Sequence, residues 1–301
     1  MLDLHRLILL RELKLRGSMT AVARELSYSH SAVSQQLSLL EKEAGTVLLE
    51  RVGRNVQLTA AAEDLVRNTE SILAAVERAE SDLASFHGRP HGVVRVAAFA
   101  TISRGILPTA LASLARDYPA LDVRLQLADP ETAVVRLTSR QVDVVITDAY
   151  PGTKEVASGG VHITTLGQDA VRGYLPRPDM DGDLDQVGSI PWVMEPAASA
   201  STQWALRVCR ERGFEPVVAH ESSDLLFHLR LVEMGLAAAF LPDMVLHEAG
   251  STLSPSPWLP MDQHRNIHFL VRDGSQARPP LQAVLTAVKD AFQGADPQAR
   301  E

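Results

Sequence analysis

Between residues 93 and 147 short aliphatic runs alternate with amphipathic helical stretches, and this alternation restricts the possible folds more than any other feature of the chain. Residues 93–98 read as a strand, 104–117 as a helix, 123–127 as a strand, 130–139 as a helix and 142–147 as a strand. Strands separated by a whole helix cannot close as hairpins; they pair in parallel, and the crossover helices cover the sheet. Such sheets bind ligands at the carboxyl ends of their strands. A second round follows: strands 161–166, 170–175 and 191–194, a helix at 202–212, a strand at 216–220, a helix at 223–234 and a strand at 236–241. A strand at 267–271 and a helix at 281–292 close the pattern, and the tail from Gly294 is expected to fray.

The first 92 residues lack that alternation. Leu4, Leu7, Ile8, Leu10 and Leu13 recur at helical spacing and predict a helix over 4–16. Gly17 stops it and Ser18 caps a second helix, 19–26. After the short break Ser27-Tyr28-Ser29 a third helix, 30–43, carries Ala32, Val33, Leu37 and Leu40 on one face and His30, Ser31, Ser34, Gln35 and Ser38 on the other. Residues 46–58 predict a hairpin with Gly53 in its turn. Thr59 caps a long helix, 60–86, which contains no Gly or Pro, and Gly88-Arg89-Pro90-His91-Gly92 reads as a linker. Leu65, Ile72, Leu73, Val76, Ala79, Leu83 and Phe86 are too sparse for an isolated helix of this length, so it packs on a neighbouring domain or on a second copy of itself.

Two helices joined by a three-residue turn form a helix-turn-helix, in which the second helix enters the major groove. Short donors and acceptors suit base edges there, and a glutamine can pair bidentately with adenine. Arg51 and Arg54 on the hairpin suit phosphates or the minor groove. Spacing alone leaves a plain three-helix bundle with a polar face equally open. The overall charge of −8 argues against nucleic acid, but its distribution does not. Residues 1–58 hold eight Lys and Arg against six Asp and Glu, a net of +2, so the remainder carries −10.

The order of motifs carries a resemblance. Residues 4–69 resemble the winged helix-turn-helix head of LysR-type transcriptional regulators through Gly17-Ser18-Met19-Thr20-Ala21-Val22-Ala23-Arg24-Glu25-Leu26, then Ser29-His30-Ser31-Ala32-Val33-Ser34-Gln35-Gln36-Leu37, then Leu40-Glu41-Lys42-Glu43-Ala44-Gly45. Leu48-Leu49-Glu50-Arg51 and Val56-Gln57-Leu58-Thr59 complete it. The chain departs from the family's usual residues at Ser31, commonly Pro, and at Leu49, commonly Phe; at Gln35 the family commonly carries Arg or Gln. The resemblance names Thr20, His30, Ser31, Ser34, Gln35, Arg51 and Arg54 as candidate contacts to a double-stranded DNA operator.

The resemblance implies a DNA-binding domain over 1–58, a linker and dimerisation helix over 59–87, a hinge linker over 88–92 and an effector-binding domain over 93–301. It implies that this last part is built like a periplasmic binding protein, with one lobe formed by 93–163 and 272–293 and a second by 164–266. Strands near 161–166 and 267–271 would cross between the lobes as a hinge. A homodimer or homotetramer, a small-molecule effector between the lobes, RNA polymerase as a further partner and a cytoplasmic setting follow as expectations. Position in the pattern then selects Thr101, Ser103, Asp129, Asp148, Glu195, Ser201, Thr202 and Ser222 as effector contacts, with Ser199 and Ser223 beside them; Thr101 and Ser103 could equally be helix caps, and the hydroxyls at 199–202 and 222–223 read first as caps. Asp129, Asp148 and Glu195 in one cleft favour an amine-bearing effector over a dicarboxylate, unless Arg104 or Arg172 lies near.

Other classes find little support. There is no Gly-x-Gly-x-x-Gly, Walker loop or Gly-x-Ser-x-Gly elbow, and no nucleophile–base pair that an enzyme would need. The His87/His91 and His264/His268 pairs do not present a helical metal face, so neither metal nor cofactor is expected. Cys209 is alone and reads as a small buried hydrophobe, and Trp192, Trp204 and Trp258 as core, though Trp204 beside Thr202 could line a cleft. The longest apolar run, 236–242, is far short of a membrane span, and Leu7 to Leu10 is too short for a signal peptide. A regulator acting through protein partners alone would lack the salt-dependent DNA affinity of a DNA binder.

Overall fold

The computed structural model describes residues 1–295 except 27, 53–54, 86–88, 154–158 and 177–183; of residues 51, 52, 55, 84, 85 and 184–186 it describes the backbone only. Ser27, Gly53, Arg54, Phe86, His87 and Gly88, and the tail beyond 295, therefore lie outside the described residues, as does the side chain of Arg51.

The head is built by local signals. Asp3 caps α1 (Leu4–Arg16), and Gly17, at φ 72°, ends it by returning its N–H to Leu13 O at 2.9 Å. Ser18 caps α2 (Met19–Glu25) and Ser29 caps α3 (His30–Ala44), accepting from Ala21 N at 3.2 Å and Ala32 N at 3.1 Å. Each such cap contributes about 1 kcal/mol. Leu7, Leu10 and Leu13 pack with Val22, Val33, Leu37 and Leu40. The wing pairs β1 (Leu49–Val52) antiparallel to β2 (Asn55–Leu58), with Leu49 opposite Leu58. Glu41 fastens it to α3 by accepting from Leu48 N at 2.9 Å and Leu49 N at 3.1 Å.

Thr59 Oγ1 accepts from Ala62 N at 3.2 Å at the start of α4 (Ala60–Ser85). One face of α4 is buried against its own chain through Ala62, Val66, Thr69, Leu73, Glu77 and Ser81. Leu65, Ile72, Val76, Ala79 and Leu83 form a second apolar stripe, on which Ile72 and Leu83 are exposed.

The body follows as β3 (Gly92–Ala98), α5 (Ala100–Gly105), α6 (Leu107–Asp117), β4 (Leu121–Leu127), α7 (Pro130–Thr138), β5 (Val144–Ala149), β6 (Val161–Tyr174), α8 (Leu184–Ser189), β7 (Pro191–Met194), α9 (Ala200–Glu211), β8 (Val217–Glu221), α10 (Leu225–Glu233), β9 (Ala239–Pro242), α11 (Asp243–Ala249), β10 (His264–Arg272) and α12 (Pro279–Ala295). Six strands form one sheet in the order β4-β3-β5-β10-β6-β9, and β7 and β8 pair in parallel beside it. The parallel trio β4-β3-β5 makes the first lobe. Its core joins Val94, Val96, Ile146 and Phe269 to Leu114 of α6 and Val284 and Val288 of α12; α7 covers the other face. The second lobe packs Trp192, Trp204, Cys209, Phe214 and Ala238, so the two tryptophans and the cysteine are core. Trp258 is exposed.

The antiparallel pair β6 and β10 runs through both lobes, next to β5 at one end and β9 at the other. Its register slips between Ile267 and His268, where Gly167 faces Ile267 and Thr165 faces His268. That bulge leaves Leu166 without a direct partner and bends the pair where it crosses. Gly167 permits α12 to close on the bend, since a Cβ there would lie 2.5 Å from Phe292 Cε1.

Four further expectations change. Strands 161–166 and 170–175 are one strand, because Gln168 and Asp169 pair across β10 instead of turning. The helix expected at 104–117 begins at Ala100 and breaks at Ile106, ahead of Pro108. Asp148 lies within β5 instead of following it. The helices α8 and α11 were not anticipated. No helix among the described residues is long and apolar enough to cross a membrane.

Candidate functional site

On the head, the outward face of α3 presents His30, Ser31, Gln35 and Ser38, with Ser34 half-buried beside them; Thr20 of α2 is also exposed. Ser31 shares a hydrogen bond with the capping Ser29 (2.9 Å). Arg6, Arg11, Lys14 and Arg16 are all matched to carboxylates of Glu43, Glu12, Glu70, Glu63 and Glu25. Arg24 and Lys42 carry no ion pair among the described residues, so the positive charge the head offers outward is concentrated on few side chains.

In the body, a cleft of about 380 Å³ opens where strands of both lobes end. From the first lobe Phe99 and Thr101 follow β3, Asp129 follows β4, and Asp148 and Tyr150 lie at the end of β5. From the second lobe Glu195 follows β7, Ser199 and Ser201 open α9, and Ser223 and Leu225 open α10. The crossing strand β10 supplies Arg265. Strand ends converge on one crevice here for the reason that governs other α/β sheets: each strand delivers its next residue to the same edge.

Arg265 is the most constrained group in the cleft. Its side chain is 1% exposed, with Nη1 2.9 Å from Asp148 and Nη2 and Nε 2.8 and 3.0 Å from Asp169. Its guanidinium carbon lies 5.1 Å from the centre of the Phe99 ring. Burial disfavours its charge, but Asp169, Tyr150 and Asp148 outweigh burial and raise its pKa above the ordinary value. Glu195 is half-buried and accepts a hydrogen bond from Ser201. Burial pushes its pKa up to about 7, against the Ser201 hydrogen bond and Arg265, and with the support of the charges on Asp148 and Asp129. Burial likewise raises the Tyr150 phenol well above its usual range.

Of the residues selected from sequence, Thr101, Asp129, Asp148, Glu195 and Ser201 stand together on the cleft wall. Three others do not. Ser103 Oγ donates to Phe99 O at 2.8 Å, Thr202 Oγ1 donates to Glu195 O at 2.7 Å, and Ser222 Oγ accepts from Asp224 N at 3.1 Å. These hydroxyls brace the backbone behind the lining. Ser199 caps α9, accepting from Thr202 N. Asp129 occupies the N-cap of α7 without a side-chain capping bond, which leaves its carboxylate to the cleft. Arg104 pairs with Glu248 and Arg172 with Asp243, both outside the lining, so neither reverses the charge there. Among the described residues, the cation that does reach the cleft, Arg265, went unselected. It precedes the predicted strand 267–271, and only the longer β10 carries it to the crevice.

Comparison with known proteins follows the same division of the chain. Residues 4–63 match the family described as "Bacterial regulatory helix-turn-helix protein, lysR family", and residues 87–293 match "LysR substrate binding domain". Over 223 residues the chain is 22% identical to the transcriptional dual regulator GltC of Bacillus subtilis (strain 168), covering 72% of this chain and 73% of that one. A full-length OxyR variant from Pseudomonas aeruginosa superposes with a TM-score of 0.61 at 17% identity, over 97% of this chain and 95% of that one. Full-length CbnR in complex with its target DNA gives a TM-score of 0.50 at 21% identity, over 98% of this chain and 100% of that one.

Proposed function

The chain belongs to the LysR family of DNA-binding transcription regulators, and from this we propose that a small molecule held between its two lobes sets how its heads engage an operator. The observation that carries this reading is the path of β10. One end of the strand places Arg265 in the cleft. The other end places Arg272 against the linker helix, with Nε 2.7 Å from Glu77 of α4. Arg272 also donates to Val142 O at 2.6 Å and to Asp143 at 3.2 Å, and Arg140 reaches Glu77 at 2.9 Å. A ligand that draws the lobes together bends β6 and β10, and that bend reaches the helix bearing the DNA head. The requirement is that the ligand bind one arrangement of the lobes more tightly than the other.

In this reading α3 enters the major groove. Ser34 and Gln35 select bases, with Thr20, His30 and Ser31 beside them, while Arg51 and Arg54 hold phosphates. The second stripe on α4 supports a homodimer, because Leu65, Ile72, Val76, Ala79 and Leu83 recur close to a heptad spacing and Ile72, Ala79 and Leu83 are exposed on it. Sheet edges support a further body-to-body pairing into tetramers: β4 exposes Leu125 and Leu127, and β8 exposes Val217 and Val218. Contact with RNA polymerase and action in the cytoplasm belong to the same proposal.

The test begins with selection of an operator from random duplex DNA by the full-length protein. Binding to that operator should fall steeply with salt. Ser34→Ala and Gln35→Ala should relax base preference, and Arg51→Ala and Arg54→Ala should weaken binding to all sequences alike. Failure to enrich any sequence, or a salt-independent affinity, contradicts the DNA role.

A further inference from the structure

Charge in the cleft is unbalanced. Among the described residues, Asp129, Glu131, Asp148 and Glu195 line it against a single cation, Arg265. That guanidinium is already matched twice, by Asp148 and by Asp169, and all three of its nitrogens are engaged. Asp129 and Glu131 find no hydrogen bond or ion pair among the described residues, and Glu195 has only the Ser201 hydroxyl. Among the described residues, an acid entering here would meet four carboxyl groups and no cation left unpaired. A bare metal ion does not fit either, because no three His, Cys, Asp or Glu side chains among the described residues converge closely enough to hold one.

A second observation points to a ligand at the same place. A small pocket of about 30 Å³ lies next to the cleft and shares Tyr150, Glu195, Ser201 and Leu225 with it. Trp204 lines this pocket at 1% exposure, and its indole Nε1 is buried without an acceptor. A buried donor without a partner is costly, and the space beside it suffices for a single water or a group of that size. A water in that space, or an acceptor atom on the ligand's body, completes the Trp204 donor, while the ligand's positive charge is met by the carboxylates. Phe99, Tyr150 and Leu225 offer apolar surface between them. At about 380 Å³ the cleft sits near the lower end of the range for small-molecule sites.

We propose that the cleft binds a small organic cation, an amine or guanidine with a short apolar body, its charged head among Asp129, Asp148 and Glu195 and its body against Phe99, Tyr150 and Leu225. This rests on the reading of the cleft as the effector site. Neutral ligands lose the carboxylate contacts, and acids are repelled by them.

The experiment is calorimetric titration of the full-length protein with amines and acids of matched skeleton: butylamine against butyrate, putrescine against succinate, phenethylamine against phenylpropionate, and agmatine as the guanidine. At least one cation should bind, its acid counterpart should not, and Asp129→Asn and Glu195→Gln should each weaken binding about tenfold or more. Ser38→Ala on the head should leave binding unchanged. Binding of an acid, or of no cation in the millimolar range, overturns the assignment of class. If an acid binds and Thr101→Val or Leu225→Ala weakens it, the cleft reading survives and only the class is wrong. Binding of any probe that no cleft substitution alters contradicts the cleft itself.

Discussion

Replacing Glu195 by Gln should stabilise the protein at alkaline pH and leave it unchanged in acid. In the folded chain the Glu195 carboxyl titrates at about 7, against an ordinary 4.5, because it is buried beside the charges of Asp148 and Asp129, with Ser201 and Arg265 only partly compensating. The folded state thus holds a proton that the unfolded state releases. Folding takes up that proton between about pH 4.5 and about pH 7, so stability falls as pH rises through this window and levels off above it. At about 1.4 kcal/mol per pH unit the full penalty is roughly 3 kcal/mol, and access of water to a half-buried group brings it nearer about 2 kcal/mol. Gln cannot ionise and keeps an acceptor for Ser201, so it removes the penalty. Differential scanning calorimetry of wild type and Glu195→Gln should show coincident transitions near about pH 4 and a transition roughly 4–8 °C higher for the variant near about pH 8. Other titrating groups cancel in the difference. A variant less stable than wild type at the alkaline end, or a difference independent of pH, refutes the electrostatic account of the cleft.

Three further outcomes follow from the same structure. Gly167→Ala places a Cβ against Phe292 at the bend of β6 and should destabilise by about 1–3 kcal/mol in urea unfolding, with Phe292→Leu restoring part of the loss; an unchanged midpoint would show that α12 yields freely there. Glu77→Ala removes the carboxylate between Arg272 and Arg140 and should cost about 2–4 kcal/mol, with faster amide exchange along α4; equal exchange rates would mean the linker helix is not held by this pair. Gln35→Ala should lower discrimination at one operator position by about 1–3 kcal/mol, measured by competition between single-base variants, whereas a uniform loss across all variants would place Gln35 on the phosphates.

The head was legible because its signals are local. Gly17, Ser18 and Ser29 each start or stop a helix within their own turn: the first helix ends at Arg16, and the next two begin at Met19 and His30, where those residues imply. The body was legible where aliphatic runs alternate with helices and obscure where pairing is long-range. Gly167-Gln168-Asp169 has the composition of a turn. It is strand because Gln168 bonds Asn266 at 3.1 Å and Asp169 bonds Arg265, partners nearly a hundred residues away. The same distance hid Arg265, whose role depends on Asp148 and Asp169 meeting on either side of β10. The serines and threonines near helix starts could not be sorted in advance. Thr101 and Ser103 both lie in α5, two residues apart, yet only Thr101 reaches the cleft, since Ser103 turns back to Phe99 O.

The measurement that tests the account most directly is the affinity of the full-length protein for its selected operator, taken at fixed salt with and without a saturating cleft ligand. The account predicts a change in affinity or in the length of DNA protected, and predicts that Glu77→Ala, which leaves the cleft intact, diminishes that change. An operator affinity and footprint identical in the free and the liganded protein would contradict the coupling between cleft and head.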